Sequence, residues 1–177
     1  MRFGHSDKKP FLGDKGYAMV LFTGIIALLL IAASVGLNAV SYYERKGALE
    51  NIAQGVAGYA GNYLPNPYES VQHAVEYAKL LSQTQPGWFN PSSGTVPTAK
   101  IKIYFTSASG NKVGVLKSTI DSATAPGNPI DGDKVGLPIK SMTVRIEDNY
   151  TLSLFNLGIS TPFTVAAEAT AQLTPLI

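Results

Sequence analysis

The sequence predicts an α+β chain. A long N-terminal helix has a first half suited to a membrane, a second half packs on a small antiparallel β-sheet, and a second, short helix lies between helix and sheet in the chain. Three observations carry this reading. Residues 17–43 hold no charged side chain. The apolar and small residues over 49–64 then keep a helical period. Beyond residue 100 the apolar residues alternate with polar ones, the period of a half-buried strand.

Charge placement sets the organisation. The chain has 177 residues, with 14 Lys+Arg against 12 Asp+Glu and a net charge of +2. That surplus lies wholly in residues 1–16, where Arg2, Lys8, Lys9 and Lys15 face Asp7 and Asp14. Residues 44–177 are balanced, so this body lacks the excess positive charge that neutralises phosphates, and nucleic acid is not an expected partner. The absence of cysteine excludes a disulfide scaffold and thiolate metal sites. A hydrophobic content of 45% is enough for a core.

Residues 17–43 span about 40 Å as a helix at about 1.5 Å per residue, and a bilayer core requires only about 20 apolar residues. Four basic residues precede the stretch; only Arg45 and Lys46 follow closely, offset by Glu44 and Glu50. The positive-inside rule then puts residues 1–16 in the cytoplasm as a basic leader, 17–43 across the membrane and 44–177 outside. Tyr17, Tyr42 and Tyr43 stand where interfacial aromatic anchors belong. A cleaved secretory signal is the rival, but Leu37-Asn38-Ala39 is a mediocre cleavage site and the apolar stretch is longer than such signals need.

The helix is expected to continue to about Leu64. Leu49, Ile52, Ala53, Val56, Ala57, Ala60 and Leu64 share one face. Gly55, Gly58 and Gly61 form a second row, and glycine in a helix interior is costly unless a neighbour packs closely. Asn62 and Pro65-Asn66-Pro67 end the segment. A second helix is expected over 68–82 from Val71, Val75, Ala78 and Leu81, and 86–97 is a Pro/Gly/Ser-rich loop whose Trp88 and Phe89 cap a core.

The remainder is β. Ile101, Ile103 and Phe105 alternate with lysines, and 112–116 is a partner strand after a turn at Ser109-Gly110-Asn111. Residues 121–138 are a loop. Met142, Val144 and Ile146 point inward from a third strand, and 151–158 is a short helix or turn. In the last strand Phe163, Val165, Ala167, Ala169, Ala171 and Leu173 face inward, small enough for close packing on the glycine face of the first helix.

Little in the chain suggests chemistry. His5 and His73 are the only histidines, and neither falls into a nucleophile or metal set. Asp131 and Asp133 lie in a Gly/Pro loop, where they could touch Ca²⁺, but two carboxylates do not define a site and a solvated loop is the expected reading. No catalytic activity, cofactor or metal is expected.

In their order, these segments resemble the TadE/TadG-like, prepilin-type proteins of tight-adherence (Flp, type IVc) pili. The resemblance is carried by Lys15-Gly16-Tyr17-Ala18-Met19-Val20-Leu21-Phe22, Leu28-Leu29-Leu30, Tyr42-Tyr43-Glu44-Arg45, the run from Leu49 through Ala57, and the terminal Phe163-Thr164-Val165-Ala166-Ala167-Glu168. It implies a pilin-like fold and a bacterial inner-membrane location, with the C-terminal domain periplasmic or extracellular. It also implies membrane lipid, other pilin-like subunits or pilus-assembly machinery as partners, and cleavage by a prepilin peptidase between Gly16 and Tyr17. Processed members carry Glu where this chain has Leu21. That departure leaves open a minor or tip-like subunit and an uncleaved membrane component. Helix packing is expected to use Gly24, Ala32, Ala33 and Gly36 in the membrane half, and Ala53, Val56, Ala57 and Ala60 beyond it. The alternative is a single-pass, membrane-anchored extracytoplasmic binding or scaffold protein that does not polymerise.

Overall fold

The computed structural model describes residues 14–64, 66–84, 99–126, 138–153 and 160–173. The fold is α+β: helices α1 (Asp14–Gly61) and α2 (Pro67–Thr84), then strands β1 (Lys100–Ser107), β2 (Lys112–Thr119), β3 (Ile139–Ser153) and β4 (Ser160–Gln172). The strands form one antiparallel sheet in the order β2-β1-β3-β4. The basic leader through residue 13, Trp88, Phe89, Asp131 and Asp133 lie outside the described residues.

Helix α1 runs unbroken for 48 residues, from the uncharged stretch into the amphipathic one. It ends at Gly61, where Tyr63 and Leu64 donate to Ala60 and Gly61 in tight i→i+3 turns. Asn66 starts α2 as its N-cap, its side-chain oxygen accepting from the Tyr68 and Glu69 amides at 3.1 and 3.4 Å. Pro67 at the first helical position has no amide to leave unpaired, so the Pro-Asn-Pro that stops one helix also opens the next.

One core joins α1, α2 and the inner face of the sheet. Leu49, Ile52, Ala53, Val56, Ala57, Ala60 and Leu64 are all buried, against Val71, Ala74, Val75 and Ala78 of α2 and Ile101, Ile103, Phe105, Met142, Val144 and Ile146 of the sheet. The glycine row divides among different neighbours. A Cβ at Gly55 would stand 3.1 Å from Leu81 of α2, and one at Gly61 would stand 2.6 Å from the Ala171 Cβ of β4. Gly58 meets nothing within 4 Å, so it does not serve the close approach expected of the whole row.

Strands β1, β3 and β4 follow the alternation with two differences, while β2 runs three residues past the expected 116, to Thr119, and loses the alternation at a register shift opposite Ile103 and Tyr104. Residues 151–153 continue β3 and pair with β4, rather than forming a helix or turn; Thr151, Leu152 and Ser153 oppose Pro162, Thr161 and Ser160. Leu173 is 38% exposed, although its amide still donates to the Lys140 carbonyl of β3 at 3.0 Å. The β1–β2 turn places Gly110 at φ +89°, a conformation that favours glycine.

The outer face of the sheet is polar. Glu147 binds the Lys102 ammonium and the Arg145 Nε at 2.7 Å each, while Glu168 takes Lys112 at 3.0 Å and Arg145 at 3.6 Å. The Lys102 hydrogen bond, then that of Arg145, hold the Glu147 carboxyl below its ordinary range, against the opposing effect of burial. Because the folded value is the depressed one, the stabilisation is complete above the unfolded value of about 4.3 and is lost as pH falls from there through the folded value. Glu147→Gln is therefore expected to flatten the acid limb of thermal stability below about pH 4.3; a limb as steep as that of the unaltered chain would contradict this.

Candidate functional site

The most distinctive surface is the first half of α1. Its large apolar residues between Tyr17 and Ile31 are 42–74% exposed, and α1 is the one helix among the described residues long and apolar enough to cross a membrane. Two polar side chains on this half bond within the helix. The Thr23 hydroxyl donates to the Met19 carbonyl and the Asn38 amide to the Ser34 carbonyl, each at 2.8 Å. Such internal bonds let polar residues reside in a medium without water.

The residues expected to pack helices fall into two groups. Ala53, Val56, Ala57 and Ala60 are consumed by the chain's own core. Gly24, Ala32, Ala33 and Gly36 lie on the exposed half, and a Cβ at Gly24 or Gly36 would meet nothing within 4 Å. At about 100° per residue, Ala32, Gly36 and Ala33 fall within an arc of about 100°, with Gly36 about 40° from Ala32 and about 60° from Ala33, whereas Gly24 stands about 80° or more from each of them. Ala32, Ala33 and Gly36 thus form one small-residue notch, and Gly24 forms a separate shallow groove with Met19, Val20, Thr23 and Ala27. Gly16 and Tyr17 sit in the first turn of α1, with Tyr17 exposed.

Two further features join distant parts of the chain. Arg45 reaches Asp148 of β3 at 3.4 Å, with the Asp148 side chain only 6% exposed, and so ties the helix to the sheet. Between α1 and α2 a ring cluster gathers Tyr59, Tyr63, His73 and Tyr77. Tyr63 stacks on His73 at 3.9 Å and Tyr59 on Tyr77 at 4.7 Å. His73 also lies 3.6 Å from Glu76. The sequence signal for this cluster is the four-residue spacing of Tyr59 and Tyr63 at the end of α1 and of His73 and Tyr77 along one face of α2.

Among the described residues no group of three or more His, Cys, Asp or Glu side chains is placed to hold a metal ion. No family model, curated protein or solved structure matches the chain.

Proposed function

We propose that the chain is a structural subunit or assembly component of a type IV-like (tight-adherence, Flp) pilus or pseudopilus. It would be held in the bacterial inner membrane with its N-terminus cytoplasmic and its sheet domain outside. The observation that carries this reading is the single 48-residue helix, bare and apolar in its first half and built into its own domain's core in the second. A plain anchor needs only the first half and commonly passes into a linker. A rigid continuous rod instead fixes the domain relative to the membrane helix, so bundling the helices would also set the spacing of the domains. The driving force is van der Waals packing at small residues such as Ala32 and Gly36.

The test uses introduced cysteines, because the chain has none of its own. Gly36→Cys in native membranes is expected to yield disulfide-linked dimers under mild oxidation, and Lys117→Cys on the sheet edge is not. Equal monomer from both variants would contradict packing at this notch and favour the non-polymerising binding or scaffold reading. N-terminal sequencing separates the two forms of subunit: a terminus at Tyr17 identifies a processed one, and an intact Met1 an uncleaved component.

A further inference from the structure

Two contacts fix the height of the sheet along α1. Asp148 of β3 meets Arg45, and Gly61 lies against Ala171, which pairs with Met142 of β3. From Arg45 to Gly61 the helix rises about 24 Å at about 1.5 Å per residue. From Asp148 back to Met142 the strand covers about 20 Å at about 3.3 Å per residue. The two lengths match to within about 4 Å, and the order of the contacts runs β3 alongside α1 in the opposite direction, toward the apolar half.

β3 does not stop at Asp148. It stays paired with β4 through Asn149–Thr164, Tyr150–Phe163, Thr151–Pro162, Leu152–Thr161 and Ser153–Ser160. Those five further residues carry the ladder about 17 Å past Asp148. On the helix the same distance is about eleven residues, which leads from Arg45 to Ser34. Ser34 is independently unusual: it is 2% exposed on a segment whose large apolar residues stand mostly bare. The register alone puts the end of the ladder near this height, and the covered Ser34 falls there.

That height is informative once α1 is placed in a bilayer, so this inference rests on the membrane-spanning reading above. A hydrocarbon core about 30 Å thick takes about 20 helical residues, and from Tyr17 it ends close to Leu37. Ser34 lies about 5 Å inside that limit at about 1.5 Å per residue. We propose that the end of the β3–β4 ladder, at the Thr151–Pro162, Leu152–Thr161 and Ser153–Ser160 pairs, rests in the headgroup–acyl boundary of the outer leaflet, as a second point of membrane contact beside α1.

The composition suits the place. No charged residue occurs between Asp148 and Glu168, so no ion has to be desolvated there. Serine and threonine at the last pairs suit a boundary rather than the hydrocarbon interior, where an open sheet edge would leave backbone groups unpaired. Pro162 lies on β4, an edge strand, where a missing amide is tolerated. Two contacts with the bilayer, helix and ladder end, would restrain the rod's tilt and its rotation about its own axis.

The full chain carrying Ser153→Cys, or Ser160→Cys should the first variant fold poorly, is labelled with an environment-sensitive nitrobenzoxadiazole. It is then reconstituted into phosphatidylethanolamine–phosphatidylglycerol vesicles. Gln172→Cys, on an exposed residue at the far end of β4, and Leu28→Cys, in the apolar half of α1, serve as references. The label at 153 or 160 is expected to emit further to the blue than that at 172. A lipid spin-labelled near the headgroup should quench it at least about twofold more strongly, as at other interfacial segments. Quenching no greater than at 172, with Leu28 quenched by deep spin labels, would overturn the ladder contact and leave the spanning helix standing. No quenching at Leu28 would overturn both.

Discussion

Val56→Asp is expected to unfold the sheet domain. Val56 is fully buried in α1 where helix and sheet share one core, and its neighbours on that face, Ile52, Ala53, Ala57 and Ala60, are all apolar. A carboxylate there would be desolvated with no designed partner, and protonating it at neutral pH has its own cost. The loss is expected to be about 4 kcal/mol or more, which approaches the total stability of a small domain. Ala57→Asp acts in the same way. Thermal or denaturant unfolding of the full chain in detergent is the check; an unchanged midpoint for either variant would contradict the helix–sheet contact. Val56→Ala, which only removes volume, is expected to cost about 1–3 kcal/mol, so the difference between the variants isolates the charge.

Gly61→Val is expected to have the next largest effect. Even the first carbon of a side chain at Gly61 would stand 2.6 Å from the Ala171 Cβ, closer than two carbons approach, and a branched side chain widens the conflict. The last turn of α1 and the end of β4 would have to separate, at a cost of about 1–3 kcal/mol by overpacking. Gly61→Ala alone should still destabilise, although alanine is the better helix former by about 1 kcal/mol. Adding Ala171→Gly to Gly61→Ala should restore much of the loss. Failure of that pair to rescue would show that the close approach is not what fixes glycine at 61.

Several elements were legible in the sequence because burial there obeys a simple period. The face from Leu49 to Leu64, the inward row Ile101, Ile103 and Phe105, and the row Met142, Val144 and Ile146 are all found in the core. The second helix differs from its expected span by one or two residues at each end. Residues 151–153 were not legible, because their local composition of threonine, leucine and serine fits a turn as well as a strand; only pairing with β4 decides it. Gly58 resembles Gly55 and Gly61 in sequence, and only the positions of α2 and β4 separate them. On the candidate site, the exposed apolar half of α1 was evident from its missing charges. The Arg45–Asp148 tie, 103 residues apart, and the covered Ser34 depend on tertiary register, which no local pattern encodes. Ala32, Ala33 and Gly36 separate from Gly24 once helical angle is considered, so the notch is narrower than the list of small residues.

The most direct test of the proposed function is the state of the chain taken from its native membrane in mild detergent, measured by light scattering alongside immunodetection in sheared surface filaments. The packing of α1 predicts a mass above that of one chain in detergent, with the chain in the filament fraction if it is a processed subunit. A stable monomer that is absent from sheared filaments would contradict it.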